Sequence, residues 1–204
     1  MCQASGFFMQ FCYSIQYSMY RIIILSIYLL TTSIAHAQLS ESYTDKAAGF
    51  NGSFEFVKNG IPANWQVYTP KTTRDARFAF TVDTQYAADG KRCLKWVVQQ
   101  CSPDGGWFSP GISKEFACVP GTIYSVSFKI KNTGAKVRFK TDAVSAKQKY
   151  KGQEYTAAES LSEWKTITQR ITVPQSFNRL RIEFNILGSG TVWLDNVAIK
   201  QLKK

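Results

Sequence analysis

Histidine is nearly missing from this sequence: there is one in 204 residues, His36. It lies in the opening stretch, read below as a leader, so the domain that follows would hold no imidazole for general base chemistry or metal ligation. Cysteine is scarce too. Cys2 and Cys12 fall in the opening stretch, and the remaining Cys93, Cys101 and Cys118 allow at most one internal disulfide. Cys101–Cys118 is favoured over the other two pairings, and the spacings are not those of a cysteine-rich zinc site. Long apolar runs are lacking as well. Ile22–Leu30 is broken by Ser26 and falls well short of the roughly 20 residues that a spanning helix needs, so no stable membrane insertion is expected. Beyond residue 50 no segment carries the periodicity of a helix of ordinary length. The one helical candidate, residues 156–162, is too short to organise a fold.

What is present at the start has the parts of a secretory signal. Arg21 is the only charged residue of the first 37, the apolar run follows it, and Ala35-His36-Ala37 makes a cleavage signature before Gln38. Residues 1–18 are uncharged and unlike a signal's basic opening, which points to Met19 as the true start. The reading is therefore a signal peptide over 1–37, a short linker over 38–48 and one domain over 49–204, exported to the cell exterior or periplasm and expected to be a monomer. Loss of Arg21 changes the formal charge from +11 to +10. Such a balance favours anionic partners, and for an exported chain these are acidic glycans rather than nucleic acid. A basic surface kept only for solubility is the plainer alternative.

Short runs rich in Val, Ile, Thr, Phe, Tyr and Trp, separated by Gly, Pro, Asn and Asp, fill the rest. Tyr124, Val126, Phe128 and Ile130 alternate with Ser125, Ser127, Lys129 and Lys131, a period of two with one apolar side. Asn132-Thr133-Gly134 supplies a turn, and Val137 and Phe139 then alternate with Lys136, Arg138 and Lys140. The pair reads as a β-hairpin. Leu180, Ile182, Phe184 and Ile186 alternate with Arg179, Arg181, Glu183 and Asn185, and a last strand is expected over 191–202. About ten such strands in one domain predict an all-β fold, a jelly-roll β-sandwich of two antiparallel sheets.

Four stretches in this order carry a resemblance. Asn51-Gly52-Ser53-Phe54-Glu55 followed by Gly60-Ile61-Pro62 and Trp65, the strand after Gly121, the run from Trp164 through Ile171-Thr172-Val173-Pro174, and the closing Val192-Trp193-Leu194-Asp195-Asn196-Val197 together resemble carbohydrate-binding modules of the family 4, 9 and 22 type, a galactose-binding-like sandwich. The likeness spans residues 50–201. It implies a non-catalytic protein that binds a polysaccharide or oligosaccharide. It also implies a structural calcium ion held by the side chains of Glu55 and Asp195, the carbonyl of Ser53 and the loop at Asp89 and Lys91, since calcium takes six to eight oxygens. Ser53 departs from the family's usual glycine. With no metal bound, Glu55 and Asp195 would only cap strand ends.

Within that resemblance Trp65, Trp164 and Trp193 sit where core tryptophans are expected. Trp107 and Phe108 follow the loop signal Asp104-Gly105-Gly106 and are the first candidates for an exposed sugar platform. Tyr150 and Tyr155, in a basic polar stretch, are the next. The polar side of the expected hairpin would gather Lys129, Lys131, Lys136, Arg138 and Lys140 on one surface. Either that surface binds an acidic polysaccharide, with Arg138 as bidentate partner, or it is a solvated face that keeps an edge from aggregating. Arg181 and Asn185 complete the candidate set.

Enzymatic readings are weaker. Glu115, Asp142, Glu154, Glu159, Glu163 and Glu183 could supply a glycosidase pair, but nothing in the sequence sets two of them at a catalytic separation. A jelly-roll polysaccharide lyase using tyrosine as base and Arg or Lys against a uronate is the best enzymatic rival, and it would require Tyr, Arg and a further polar group to converge. A surface adhesion or structural role is the third reading.

Overall fold

A computed structural model describes residues 48–145, 148–157 and 160–202. The expected leader, with Met19, Arg21 and His36, and the expected linker up to residue 47 lie outside the described residues. No helix among the described residues is long and apolar enough to cross a membrane.

The chain forms β1 (Val57–Lys58), β2 (Ile61–Pro62), β3 (Gln66–Tyr68), β4 (Arg77–Asp83), β5 (Cys93–Gln100), β6 (Gly111–Ala117), β7 (Ile123–Thr133), β8 (Val137–Val144), β9 (Lys149–Ala157), β10 (Leu161–Thr172), β11 (Arg179–Ile186) and β12 (Gly190–Leu202). β1 and β2 make a two-stranded ribbon. The others form two five-stranded sheets: a front sheet in the order β3-β6-β11-β8-β9 and a back sheet in the order β10-β7-β12-β5-β4. Every pairing is antiparallel. This is the β-sandwich that the alternating runs predict. The helical candidate at 156–162 is not one: Thr156 and Ala157 close β9, and Leu161 and Ser162 open β10.

Between the sheets lies one main core. Leu94, Trp96 and Val98 of β5, Val126, Phe128 and Ile130 of β7 and Val192 and Leu194 of β12 meet Ile112 of β6, Val137 and Phe139 of β8 and Ile182, Phe184 and Ile186 of β11. A smaller cluster of Tyr124, Ala143, Ile171, Val173, Phe177 and Leu180 closes one end. Apart from Val173 and Phe177, which lie in the link between β10 and β11, these residues occupy the apolar phase of their strands, so period-two alternation selects most of the core.

The expected hairpin is corrected. β7 pairs with β10 and β12, while β8 pairs with β11 and β9, so the link at residues 134–136 passes from the back sheet to the front one. Phe128 and Phe139 consequently stack across the sandwich, ring centroids 3.9 Å apart and planes 17° from parallel. Alternation reports which side chains face the core. It carries no information on whether the next strand lies beside or opposite, and facing strands of a sandwich satisfy the same pattern as a hairpin. The proposed basic surface is therefore divided: Lys129 and Lys131 belong to the outward side of the back sheet, Arg138 and Lys140 to that of the front sheet.

Trp65 and Trp96 lie in the core between the sheets; Trp193 is buried as well, but outside that cluster, because Val192 and Leu194 take the inward phase of β12 and Trp193 packs under Tyr86, Lys95 and Lys131 on the back sheet. Trp164 is half-buried at a register shift in β10. Cys93, Cys101 and Cys118 are all free, so the Cys101–Cys118 pairing is absent.

Candidate functional site

The outward side of the front sheet is set by register. One row across it runs Tyr68, Gly111, Asn185, Arg138, Thr156 and the next Gln66, Ser113, Glu183, Lys140, Glu154. A third holds Glu115, Arg181 and Asp142. Outward side chains of a solvated sheet are normally wet, yet Tyr68, Ser113, Asp142, Glu183 and Asn185 are buried. Polar groups in that condition need partners, and most have them. The Tyr68 hydroxyl donates to Glu183 Oε1 at 2.6 Å, and Arg181 Nη2 donates to the same hydroxyl at 3.0 Å. Burial, and then the bond to Glu183, push the Tyr68 pKa up to about 12.

A loop covers one end of this face and carries the short 3-10 turn Gly106–Phe108. Its bracing is internal. Gly105 N–H donates to Ser109 Oγ at 2.9 Å, Ser109 Oγ–H donates to the Ser102 carbonyl at 2.6 Å, and Ser102 Oγ–H donates to Asp104 Oδ2 at 2.7 Å. The loop is also tied to the sheet, for Arg138 Nη2 donates to the Asp104 carbonyl at 2.9 Å. Gly105 has φ of 81°, and a Cβ there would lie 1.7 Å from Arg138 Nη2, so backbone conformation and space both demand glycine. The result is an indole fixed in place: Trp107 rests on Tyr68 with centroids 4.7 Å apart and remains 48% exposed. Phe108 beside it is 53% exposed.

Beneath that loop two buried polar atoms have no partner, Arg138 Nε and Asn185 Oδ1. One is a donor and the other an acceptor, and a hydroxyl group, which both donates and accepts, matches the pair. The exposed indole suits a sugar ring, whose C–H groups lie against an aromatic face, while the two unpartnered atoms stay covered by the loop.

The model of the carbohydrate binding domain of families 4 and 9 matches residues 46–190. The chain belongs to this family. No curated protein matches the chain. Among solved structures, this carbohydrate-binding domain is similar to one described as "CBM4 structure and function", at 19% identity and a TM-score of 0.55, covering 74% of this chain and 98% of that one. It is similar too to the family 22 module and catalytic module of a Clostridium thermocellum endo-1,4-β-D-xylanase complexed with xylohexaose (15% identity, TM-score 0.54, 74% of this chain and 28% of that one). A third is the enzymatically active domain of tailspike protein 4 of bacteriophage CBA120 (16% identity, TM-score 0.52, 74% of this chain and 20% of that one). At such identities the likeness is one of fold.

The domain brings Trp107, Phe108, Arg138, Asn185, Lys140 and Arg181 to the front face. It does not bring the other candidates there. Tyr155 lies across from Phe139, on the core side of β9, with its ring 6.0 Å from Phe128. Tyr150 lies across from Ala143 and packs on Phe177 at 6.0 Å. Lys129 and Lys131 are on the other sheet. Most of the front face's cations are also matched: Lys140 with Glu154 at 3.9 Å, Lys149 with Asp142 at 2.7 Å, and Arg179 and Arg181 with Glu115 at 2.7 and 3.2 Å.

Tyr68, Ser113 and Gln66 are not singled out by the sequence, and Glu183 enters there only among the six carboxylates of a possible glycosidase pair. Glu183 was within reach, since it stands between Arg181 and Asn185 in the same alternating phase. Tyr68 was not, because a three-residue strand shows too little alternation to read.

At the opposite end of the chain's register, Glu55 and Asp195 hold one loop. Glu55 Oε1 accepts from the amides of Lys91 and Arg92 at 2.7 and 2.9 Å, and Asp195 Oδ2 accepts from those of Ala88 and Asp89 at 2.8 and 2.9 Å. Burial pushes the Asp195 carboxyl up to about 6. The described residues contain no group of three or more His, Cys, Asp and Glu side chains able to hold a metal.

Proposed function

We propose that this protein is a non-catalytic binder of a polysaccharide or oligosaccharide that works at the front face. A pyranose ring stacks on Trp107, with Phe108 at its edge. The single observation that carries this is the exposed indole of Trp107, held on the buried Tyr68 ring by a braced loop. The ligand is a neutral glycan. An acidic one was attractive only while five cations shared a surface, and those left on the front face, Arg138 apart, already face carboxylates. The secretory leader suits a protein that meets its glycan outside the cytoplasm. The test is retention on a panel of neutral and acidic polysaccharides with product formation followed. Retention on a neutral glycan without depolymerisation supports the proposal, and retention on none of them refutes it.

One observation favours a second reading. Tyr68, Arg181 and Glu183 converge, which is the arrangement a lyase would use. Against it, Tyr68 is fully covered, donates its proton to Glu183 and has its pKa raised to about 12, all opposite to what a base needs. Release of unsaturated uronate ends, lost in Tyr68→Phe, would establish the lyase instead.

We also propose a structural calcium ion between Glu55 and Asp195. Two carboxylates from the two ends of the domain meet one loop; Glu55 Oε1 and Asp195 Oδ2 accept loop amides, Asp195 Oδ1 accepts the Asn196 amide at 2.6 Å and Glu55 Oε2 faces Arg92 Nη1 at 3.6 Å, so a calcium ion would share these oxygens with their present donors. The Ser53 carbonyl and the carbonyls of Asp89 and Lys91 would supply further oxygens. The ion would pin the first and last segments together.

A further inference from the structure

The outward side of the back sheet carries a second aromatic site. Thr81, Lys95, Trp193 and Lys131 form one row across β4, β5, β12 and β7. Tyr86, from the loop after β4, leans over the indole at 5.8 Å and is 47% exposed, while Trp193 beneath it is buried, so Tyr86 offers the open ring. Two ammonium groups flank the rings. Lys95 Nζ lies 5.7 Å from the Tyr86 centroid and 5.3 Å from that of Trp193, and for Lys131 Nζ the distances are 5.6 and 5.8 Å. The two lysines come from the strands on either side of β12, so they stand on opposite flanks of Trp193.

The charges at this place are not balanced. Lys95 pairs with Asp83 at 3.4 Å, and Asp83 also accepts the Trp193 indole N–H at 3.2 Å. Lys131 has no carboxylate within ion-pair distance among the described residues; only the two rings hold it. A cation kept by aromatic faces is ordered without being neutralised. Its position is therefore fixed while its charge remains available.

We propose that this patch is a second glycan site, distinct from the front face and selective for an acidic sugar. A uronate or sulfated pyranose lies over Tyr86, and its anionic group is taken by Lys131, with Lys95 as the second cation. Charge complementarity selects the ligand, and the ring selects a sugar over a free ion. The two sites lie on opposite sides of the sandwich, so one molecule could join a neutral chain to an acidic one.

The protein, Lys131→Gln, Tyr86→Ala and Trp107→Ala are compared by calorimetric titration and affinity electrophoresis with polygalacturonate and chondroitin sulfate, and with DNA and anionic phospholipid vesicles as controls. Lys131→Gln weakens acidic-glycan binding roughly tenfold, the scale of one lost hydrogen bond to a charged group, and Tyr86→Ala weakens it by about the same factor through loss of the ring on which the sugar lies. Both keep neutral-glycan binding, Trp107→Ala keeps acidic-glycan binding, and the acidic binding weakens with salt. The proposal is overturned if neither acidic glycan binds, if Trp107→Ala removes the acidic binding, if Lys131→Gln has no effect, or if DNA or vesicles bind more tightly than the glycans. A thermal melt of each variant identifies any loss caused by unfolding, and Lys131→Arg, which keeps the charge, retains binding. Failure on acidic glycans with neutral binding intact refutes this site and leaves the front-face reading standing.

Discussion

Trp107 is carried by Tyr68: their rings stand 4.7 Å apart with planes inclined by 47°, and the lower ring is completely buried while the upper is half open. An exposed aromatic placed on a fixed one loses little freedom when a ligand settles on it. Trp107→Ala is expected to weaken glycan binding at least tenfold, the loss of about 1.4 kcal/mol or more, and to leave the melting temperature nearly unchanged. Titration of the variant beside the parent, with a melt of each, checks both parts.

The loop that holds the indole depends on one glycine. In Gly105→Ala the new methyl meets the Arg138 guanidinium at 1.7 Å and the backbone must keep φ near 81°. A cost of about 1–3 kcal/mol follows from the backbone conformation alone. Chemical denaturation should show it, and binding should fall as well because Trp107 moves with the loop.

Phe128 and Phe139 join the two sheets. Phe139→Ala should destabilise the fold by about 3–5 kcal/mol, the usual range for a buried phenylalanine. Phe128→Ala should do the same, and the two losses should be strongly non-additive, because each removes the same cross-sheet stack. A urea double-mutant cycle measures the coupling. Additive losses would mean that the rings do not meet.

Burial acts to raise the Asp83 pKa, but the Gln85 amide, the Trp193 indole and the Lys95 ammonium outweigh it and hold the carboxyl below its usual value. A group depressed in the folded state stabilises above its unfolded pKa, and the contribution is lost as pH falls through the folded value. Asp83→Asn should therefore be less stable than the parent at pH 7, by about 1 kcal/mol, and the difference should close in strong acid. Urea midpoints at pH 7 and below pH 3 test the sign.

Calcium binding between Glu55 and Asp195 would appear as a rise in melting temperature. A ligand at one hundred times its dissociation constant adds about 2.7 kcal/mol to a fold that alone can bind it. Chelator should reverse the rise, and Glu55→Gln should abolish it. A melt indifferent to calcium and chelator would leave the two carboxylates as plain anchors of the loop at residues 88–92.

Much of this fold was legible in the sequence. The core phases of β7, β8 and β11 follow from alternation because the sheets are apolar on one side only. What alternation could not supply was the partner of each strand, and that one gap misplaced Lys129 and Lys131. Trp193 is buried as its position suggests, but on the outer side of the back sheet, since its neighbours Val192 and Leu194 hold the inward phase. Trp107 stood out because two glycines precede it. Tyr68 did not, and Glu183 stood only among six possible glycosidase carboxylates, since their place in the site comes from register across three strands, a long-range property. Tyr150 and Tyr155 were chosen for their polar surroundings, but the side of β9 they occupy is fixed by pairing with β8.

The most direct test follows indole N–H resonances as a neutral polysaccharide fragment retained by the protein is titrated in. Trp65, Trp96, Trp107, Trp164 and Trp193 give five probes at different places in the sandwich. The account predicts that the Trp107 signal shifts and saturates with the ligand while those of the core pair Trp65 and Trp96 and of Trp193 on the back sheet stay in place. A Trp107 signal that does not move while the ligand is bound would contradict it.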